Sequence, residues 1–312
     1  MAEAERRVRM SRGRMFAAFL SVALGGPLLV ALLFPDVWET PSELTFFVYV
    51  LHQLPVLLAT LFVQGPLLKQ PVLGPLGFTG RPNRWWLVAW LAPVAMLAVA
   101  LAVGALLGDA PALTTEDYIA HRRAGLDPAL RESFAQALVD SPPSNPLRYV
   151  LNALLVGPLF PLLIALFTEV GFRGFLFREV QGGFWRRSAL IGLAEAAFLA
   201  PLGAFGYQFP GEPLLGAVLL GAWAMLASPA LVYLRVRSGS VLAVALFRGT
   251  LFALTTVAAD LSGASATLRP FYGVAGFAAL AVLLLAFFLH DRRAEARLMS
   301  PGAPPQGKPA GN

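Results

Sequence analysis

Hydrophobic side chains in this sequence come in long runs with short polar breaks between them, not in the short periods of half-buried helices or strands. The runs fall at about 15–34, 44–68, 85–107, 148–177, 188–207, 213–234, 241–259 and 271–290. A helix needs roughly twenty apolar residues to cross a hydrocarbon core, and the runs are close to that length or longer. The pattern predicts an all-α polytopic membrane protein, a bundle of about eight transmembrane helices. No internal repeat and no long linker divides it. The expected organisation is a basic tail over 1–14, one membrane domain over 15–290 and a tail over 291–312. That tail ends in "MSPGAPPQGKPAGN", a Pro- and Gly-rich composition expected to be disordered. The longest polar interval, 108–147, contains "LDPALRESFAQALVDS". There Asp127 can cap a helix with Pro128 at its first position, and Asp140 to Pro143 can end it. Trp85 and Trp86, at the start of the third run, are expected in an interfacial aromatic belt.

Composition agrees with this reading: 57% of residues are hydrophobic, 13% are charged and the mean hydropathy is +0.67. A soluble domain carries about a quarter charged residues. The net charge of +6 and pI near 10.2 first suggest nucleic acid, but the positions of the charges argue against it. With both termini cytoplasmic, one side collects Arg6, Arg7, Arg9, Arg12, Arg14, Lys69, Arg81 and Arg84. The same side takes Arg178, Arg186, Arg187, Arg235, Arg237 and the basic residues of the C-terminal tail. The other side keeps Arg122, Arg123, Arg131, Arg148 and Arg269. That asymmetry is the positive-inside rule, so the expected partner is the lipid bilayer and no nucleic acid. The first run lacks a clear cleavage site and is expected to be retained as a span. Cysteine is absent, which excludes disulfides and thiol chemistry. Arginines outnumber lysines twenty-two to two, and Ala, Leu, Gly and Pro are abundant, a usage that points to a bacterial source and hence a multi-pass plasma-membrane protein.

The usual hydrolytic signatures are missing. There is no His-Glu-x-x-His pair, no aspartate well inside a span, no intramembrane lysine and no Gly-x-Ser-Gly elbow, so no metal or cofactor is expected. Of the three histidines, His52 lies inside a span, where a hydrogen bond to a carbonyl or to Gln53 is the simple account. His121 and His290 fall at water-facing ends.

Four charges inside the spans need an explanation: Glu169, Arg173, Glu195 and Arg248. A charge at mid-bilayer costs about 2.5–3.5 kcal/mol on insertion scales, so each should face the bundle interior and have a partner. At about 1.5 Å per residue, Glu169 lies roughly 13 Å, Glu195 roughly 10 Å and Arg248 roughly 12 Å from the cytoplasmic ends of their spans. Arg173 follows Glu169 by four, the favourable order for a helical ion pair. Two negative and two positive groups on three helices predict one neutral network, with Glu195 and Arg248 as a direct pair.

At these residues the chain resembles the CAAX-protease and bacteriocin-processing (CPBP, Abi-like) intramembrane endopeptidases. "TEVGFRGFL", Thr168 to Leu176, is similar to that family's Glu-Glu-Ile-Gly-Trp-Arg-Gly-Tyr-Leu motif, matching at Glu169, Gly171, Arg173, Gly174 and Leu176. The likeness continues more weakly from Leu44 to His290, with the core motifs in 148–259. It implies an eight-helix bundle that cleaves peptide bonds in or near the membrane, with Glu169 and Arg173 as surviving motif positions. The departures fall on the chemistry. Thr168 stands where the family has its first glutamate, Leu199 and Arg248 where it has histidines, and Phe252 where it has Asn or Asp. Arginine cannot accept a proton, and leucine and phenylalanine carry none to give. Glu195 is the remaining candidate base. Three functions stay open: an inactive relative that binds a membrane-associated peptide or protein, an active intramembrane endopeptidase, and a transporter.

Overall fold

The structure, a computed structural model, describes residues 12–39, 43–124, 145–262 and 266–300, together with Glu132 and Gln136. Among the described residues eight helices are long and apolar enough to cross a membrane: α1 (Arg12–Leu33), α2 (Leu44–Leu67), α3 (Arg84–Leu106), α4 (Phe160–Glu179), α5 (Phe184–Ala204), α6 (Pro213–Ser238), α7 (Val241–Ala259) and α8 (Val274–Arg293). No strand occurs among the described residues. Large apolar side chains such as Phe47, Leu87, Leu193 and Leu285 are exposed on the bundle's outer surface, an arrangement that suits lipid and not water. Eight such helices make this a multi-pass membrane protein.

The helices alternate in direction. The start of α1 and the ends of α2, α4, α6 and α8 share one face, here termed proximal. Backbone contacts fasten it: Val241 donates its N–H to Gly77, and Asn83 Nδ2 donates to the Arg237 carbonyl. On the distal face Ala112 donates to Leu261, and Ser262 Oγ meets Asp109 Oδ2 at 2.6 Å. α7 is the central element, packing against α3, α4, α6 and a short apolar helix, Pro146–Val156. Phe172, Phe198, Trp223, Tyr233 and Phe247 fill the interior around it.

Three expectations change. The fourth run does not form one span over 148–177; it breaks at Gly157–Leu159 into the Pro146–Val156 helix and α4. Pro158 cannot donate to the carbonyl four residues back. The freed Leu154 carbonyl accepts Trp90 Nε1 at 2.8 Å instead. Trp85 is not a lipid-facing belt residue: it is buried edge-on against Tyr233 and His290. His290 lies in the last turn of α8 and is part-exposed, and its Nδ1 is 2.8 Å from the Tyr233 hydroxyl. The tail boundaries also move. α1 takes in Arg12 and Arg14, and the chain after α8 folds back so that buried Asp291 accepts the N–H groups of Leu298 and Met299. That aspartate also pairs with Arg237 at 2.8 Å. Residues 291–300 are therefore ordered. The helix expected around Asp127 and Pro128, and residues 301–312, lie outside the described residues.

α5 and α6 make the most extensive pairing, and glycine permits it. A Cβ on Gly203 would stand 2.3 Å from the Gly216 carbonyl oxygen, so the two backbones touch. At Gly221 on the same pair of helices a Cβ would make ordinary contacts, with the Ala200 Cβ at 3.5 Å and the Ala196 Cβ at 4.0 Å. Gly203→Ala is expected to lower stability in detergent by about 1–3 kcal/mol through overpacking. Gly221→Ala should be neutral or stabilising by up to about 1 kcal/mol, because alanine favours helix. Thermal unfolding of the two variants checks this, and equal effects would contradict the packing described.

Candidate functional site

The motif glutamate ends the regular part of α4. From Val170 to Leu176 the backbone widens into a π-helical turn, a distortion frequent at functional sites. Every residue of that turn is buried. Gly171 lets it lie flat on α2, since a Cβ there would stand 2.4 Å from Val56 Cγ1. The motif's glycine is thus explained by packing alone.

The four intramembrane charges come together. Arg173 Nη2 lies 2.5 Å from Glu195 Oε2, and Arg248 Nη1 lies 2.7 Å from Glu195 Oε1. Both contacts are short but off the hydrogen-bond axis, so they are ion pairs and not an aligned fork. Glu169 Oε1 is held more loosely, 3.4 Å from both Arg173 Nη1 and Arg248 Nε. Its Oε2 has no hydrogen-bond partner. The side chains of Glu169, Arg173 and Glu195 are 0% exposed, and that of Arg248 is 12% exposed. Arg173 therefore does more than pair along its own helix, because it also crosses to α5. Its carbonyl accepts Arg235 Nε at 3.1 Å, which ties the turn to α6.

Arg248 reaches a cavity of about 30 Å³ on the distal side of the network, room for about one water. Thr168, Leu199 and Phe252 line the same cavity, so the four positions that depart from the resemblance motif converge on one place. None of the four is a base: Thr168 Oγ1 donates to the Ala165 carbonyl at 3.0 Å, and Phe252 stacks on Tyr49 with centroids 4.9 Å apart. The remaining wall includes Gln53, Trp223, Tyr207 and Tyr272. Poor hydration raises the phenols of Tyr207 and Tyr272 above their ordinary range, so both stay neutral donors. His52 is buried behind Gln53, with Nδ1 3.3 Å from Gln53 Nε2 and its ring 4.6 Å from Phe198.

Trp223 and the tyrosines of the cavity carry no motif in the sequence. Arg248 sits over the Trp223 ring at 5.3 Å, a cation–π contact that helps hold its guanidinium. A tryptophan deep in a span, away from the interfaces where its N–H finds water, was the signal available.

Fold and site together define a polytopic α-helical membrane protein with a charge-paired centre beneath a small aromatic cavity. Comparison with family models, with curated proteins and with solved structures finds no match.

Removing Arg248 leaves two buried carboxylates sharing one guanidinium. Arg248→Leu is expected to cost about 3–5 kcal/mol of stability in detergent, the usual result of leaving a buried charge unpaired. Adding Glu195→Leu restores a one-to-one Glu169–Arg173 pair and should recover much of that loss. A double-mutant cycle on thermal unfolding measures the coupling. Simple additivity would mean that the two residues do not act as partners.

Proposed function

We propose that this protein is a non-catalytic relative of the CPBP intramembrane endopeptidases, one that binds a membrane-associated peptide or protein without cleaving it. One observation carries the reading. Both interior carboxylates are fully enclosed and faced by two guanidiniums each, while the network member that reaches the cavity is an arginine. Activating a water requires a group that can take a proton near neutral pH, and arginine is always protonated. An oxyanion also requires aligned donors, and Leu199 and Phe252 offer none. The convergence of Thr168, Leu199, Arg248 and Phe252 on one cavity supports tracing this bundle to the family's active site. Family membership itself rests on the motif resemblance.

An active endopeptidase is the second reading, and one feature favours it: Glu169 Oε2 is buried without a donor. A buried oxygen without a donor calls for an explanation, and a catalytic role is one of those it admits. Purified protein in proteoliposomes should show no turnover of membrane-embedded or prenylated peptides. Restoring the family pattern with Thr168→Glu, Leu199→His, Arg248→His and Phe252→Asn should not rescue activity, because Glu195 loses one of its two arginines. Turnover by the unaltered chain that is abolished by Glu169→Gln would overturn the non-catalytic reading.

The proposed orientation puts both termini in the cytoplasm of a bacterial cell, following the clustering of arginine on the proximal face. A topology reporter fused after Pro210 should read external, and one after Arg237 cytoplasmic. The opposite pair of signals would invert the bundle.

A further inference from the structure

Between α1 and α5 the bundle surface carries a groove of about 540 Å³, separate from the ion network. Phe16, Leu20 and Leu24 of α1 form one wall, and Leu190, Leu193 and Ala197 of α5 the other. Its proximal rim is basic, formed by Arg12 and Arg186 at the beginnings of the two helices. Glu179 also reaches this rim, but it is turned to Arg178 at 2.6 Å. Arg186 is held in place by its Nη1 bond to the Gln181 carbonyl at 2.6 Å, which leaves its other donors available.

Two lengths identify an occupant. Arg12 to Leu24 spans roughly 18 Å and Arg186 to Ala197 roughly 16 Å at the helical rise. One leaflet of a hydrocarbon core is about half of ~30 Å. The groove is therefore one leaflet deep, basic at the headgroup level and apolar below it. Arg186 also lies in the first turn of α5, the end of a helix where the dipole disfavours a cation and favours an anion.

We infer that this groove is a binding site for one anionic phospholipid, with its phosphate between Arg12 and Arg186 and one acyl chain along Leu190, Leu193 and Ala197. The wall residues follow the chain's direction into the leaflet, and the two guanidiniums set the preference for an acidic headgroup. This site does not depend on whether the protein is a peptidase relative.

The test uses the full-length protein in phosphatidylcholine vesicles that contain a small fraction of phosphatidylglycerol with a photoactivatable group at mid-chain. Labelling should map to Leu190, Leu193 or Ala197, and unlabelled phosphatidylglycerol should compete it better than added phosphatidylcholine does. Arg12→Gln and Arg186→Gln should each weaken apparent affinity by about fivefold, the effect of one basic residue at an anionic headgroup layer. Both residues are exposed, so thermal unfolding of these variants should match the parent. Ala197→Trp, at an exposed position on the wall, should block labelling while the arginines stay in place. Equal competition by both lipids, unchanged labelling in the double arginine variant, or crosslinking to a second copy of the chain at the groove would each overturn the assignment.

Discussion

A carboxylate buried in a hydrocarbon-like interior has to be met by a cation, and in this bundle that requirement governs how three helices stand against one another. Glu195 of α5 is approached from α4 by Arg173 and from α7 by Arg248, at 2.5 and 2.7 Å. Glu169 is shared by the same two guanidiniums at longer range. Four charges thus alternate in sign across α4, α5 and α7, and sliding α5 or α7 by a turn would take Glu195 or Arg248 out of the network. Replacing such a network by well-packed apolar residues is often neutral or stabilising, whereas breaking it is costly. Its contribution is therefore better described as fixing register than as adding stability. The central helix α7 is the one most affected, since it packs on both sides of the bundle and carries Arg248.

Two irregularities in α4 make that register attainable. The break before Phe160 separates α4 from the Pro146–Val156 helix, and Trp90 satisfies the carbonyl that Pro158 leaves open. The π turn from Val170 to Leu176 then gives Arg173 a course toward α5 that it would not need for an intrahelical pair with Glu169. Neither distortion is free, because each removes regular backbone hydrogen bonds. Both persist because neighbouring groups compensate: the indole of Trp90 in one case, and in the other Arg235, which donates to the Arg173 carbonyl at the turn.

Much of this was legible in the chain because the bilayer imposes a length scale. Apolar runs mark seven of the eight spans closely, and counting residues inward from the flanking polar positions places Glu169, Glu195 and Arg248 at one level. The pairing of Glu195 with Arg248 followed from depth and charge alone. What escaped depended on contacts between distant segments. The break at Gly157–Leu159 lay inside an apolar run, where hydropathy cannot distinguish a kink from a span. Trp85 had the position of a belt residue, but Tyr233 and His290 on α6 and α8 enclose it. The return of Leu298 and Met299 to Asp291 was hidden in a composition that otherwise suggests disorder. Trp223 and the tyrosines of the cavity come from separate elements, and no local spacing joins them.

The cavity and the network are best considered together. Of the four charges, Glu169, Arg173 and Glu195 are sealed, so anything entering the cavity meets Arg248 first. Nε and Nη1 are paired with the two glutamates, so a polar group in the cavity and the register of α4 and α5 draw on one guanidinium. Coupling between sites needs a ligand that interacts differently with two arrangements of the same elements. A shared arginine provides a physical basis for that, because its donors are divided between the cavity and the helix register. On the proposed reading, the position where the family resemblance expects a catalytic histidine has become the link between a small outward cavity and the packing of the bundle. Such a link can transmit occupancy of the cavity to the helices without any bond being cleaved.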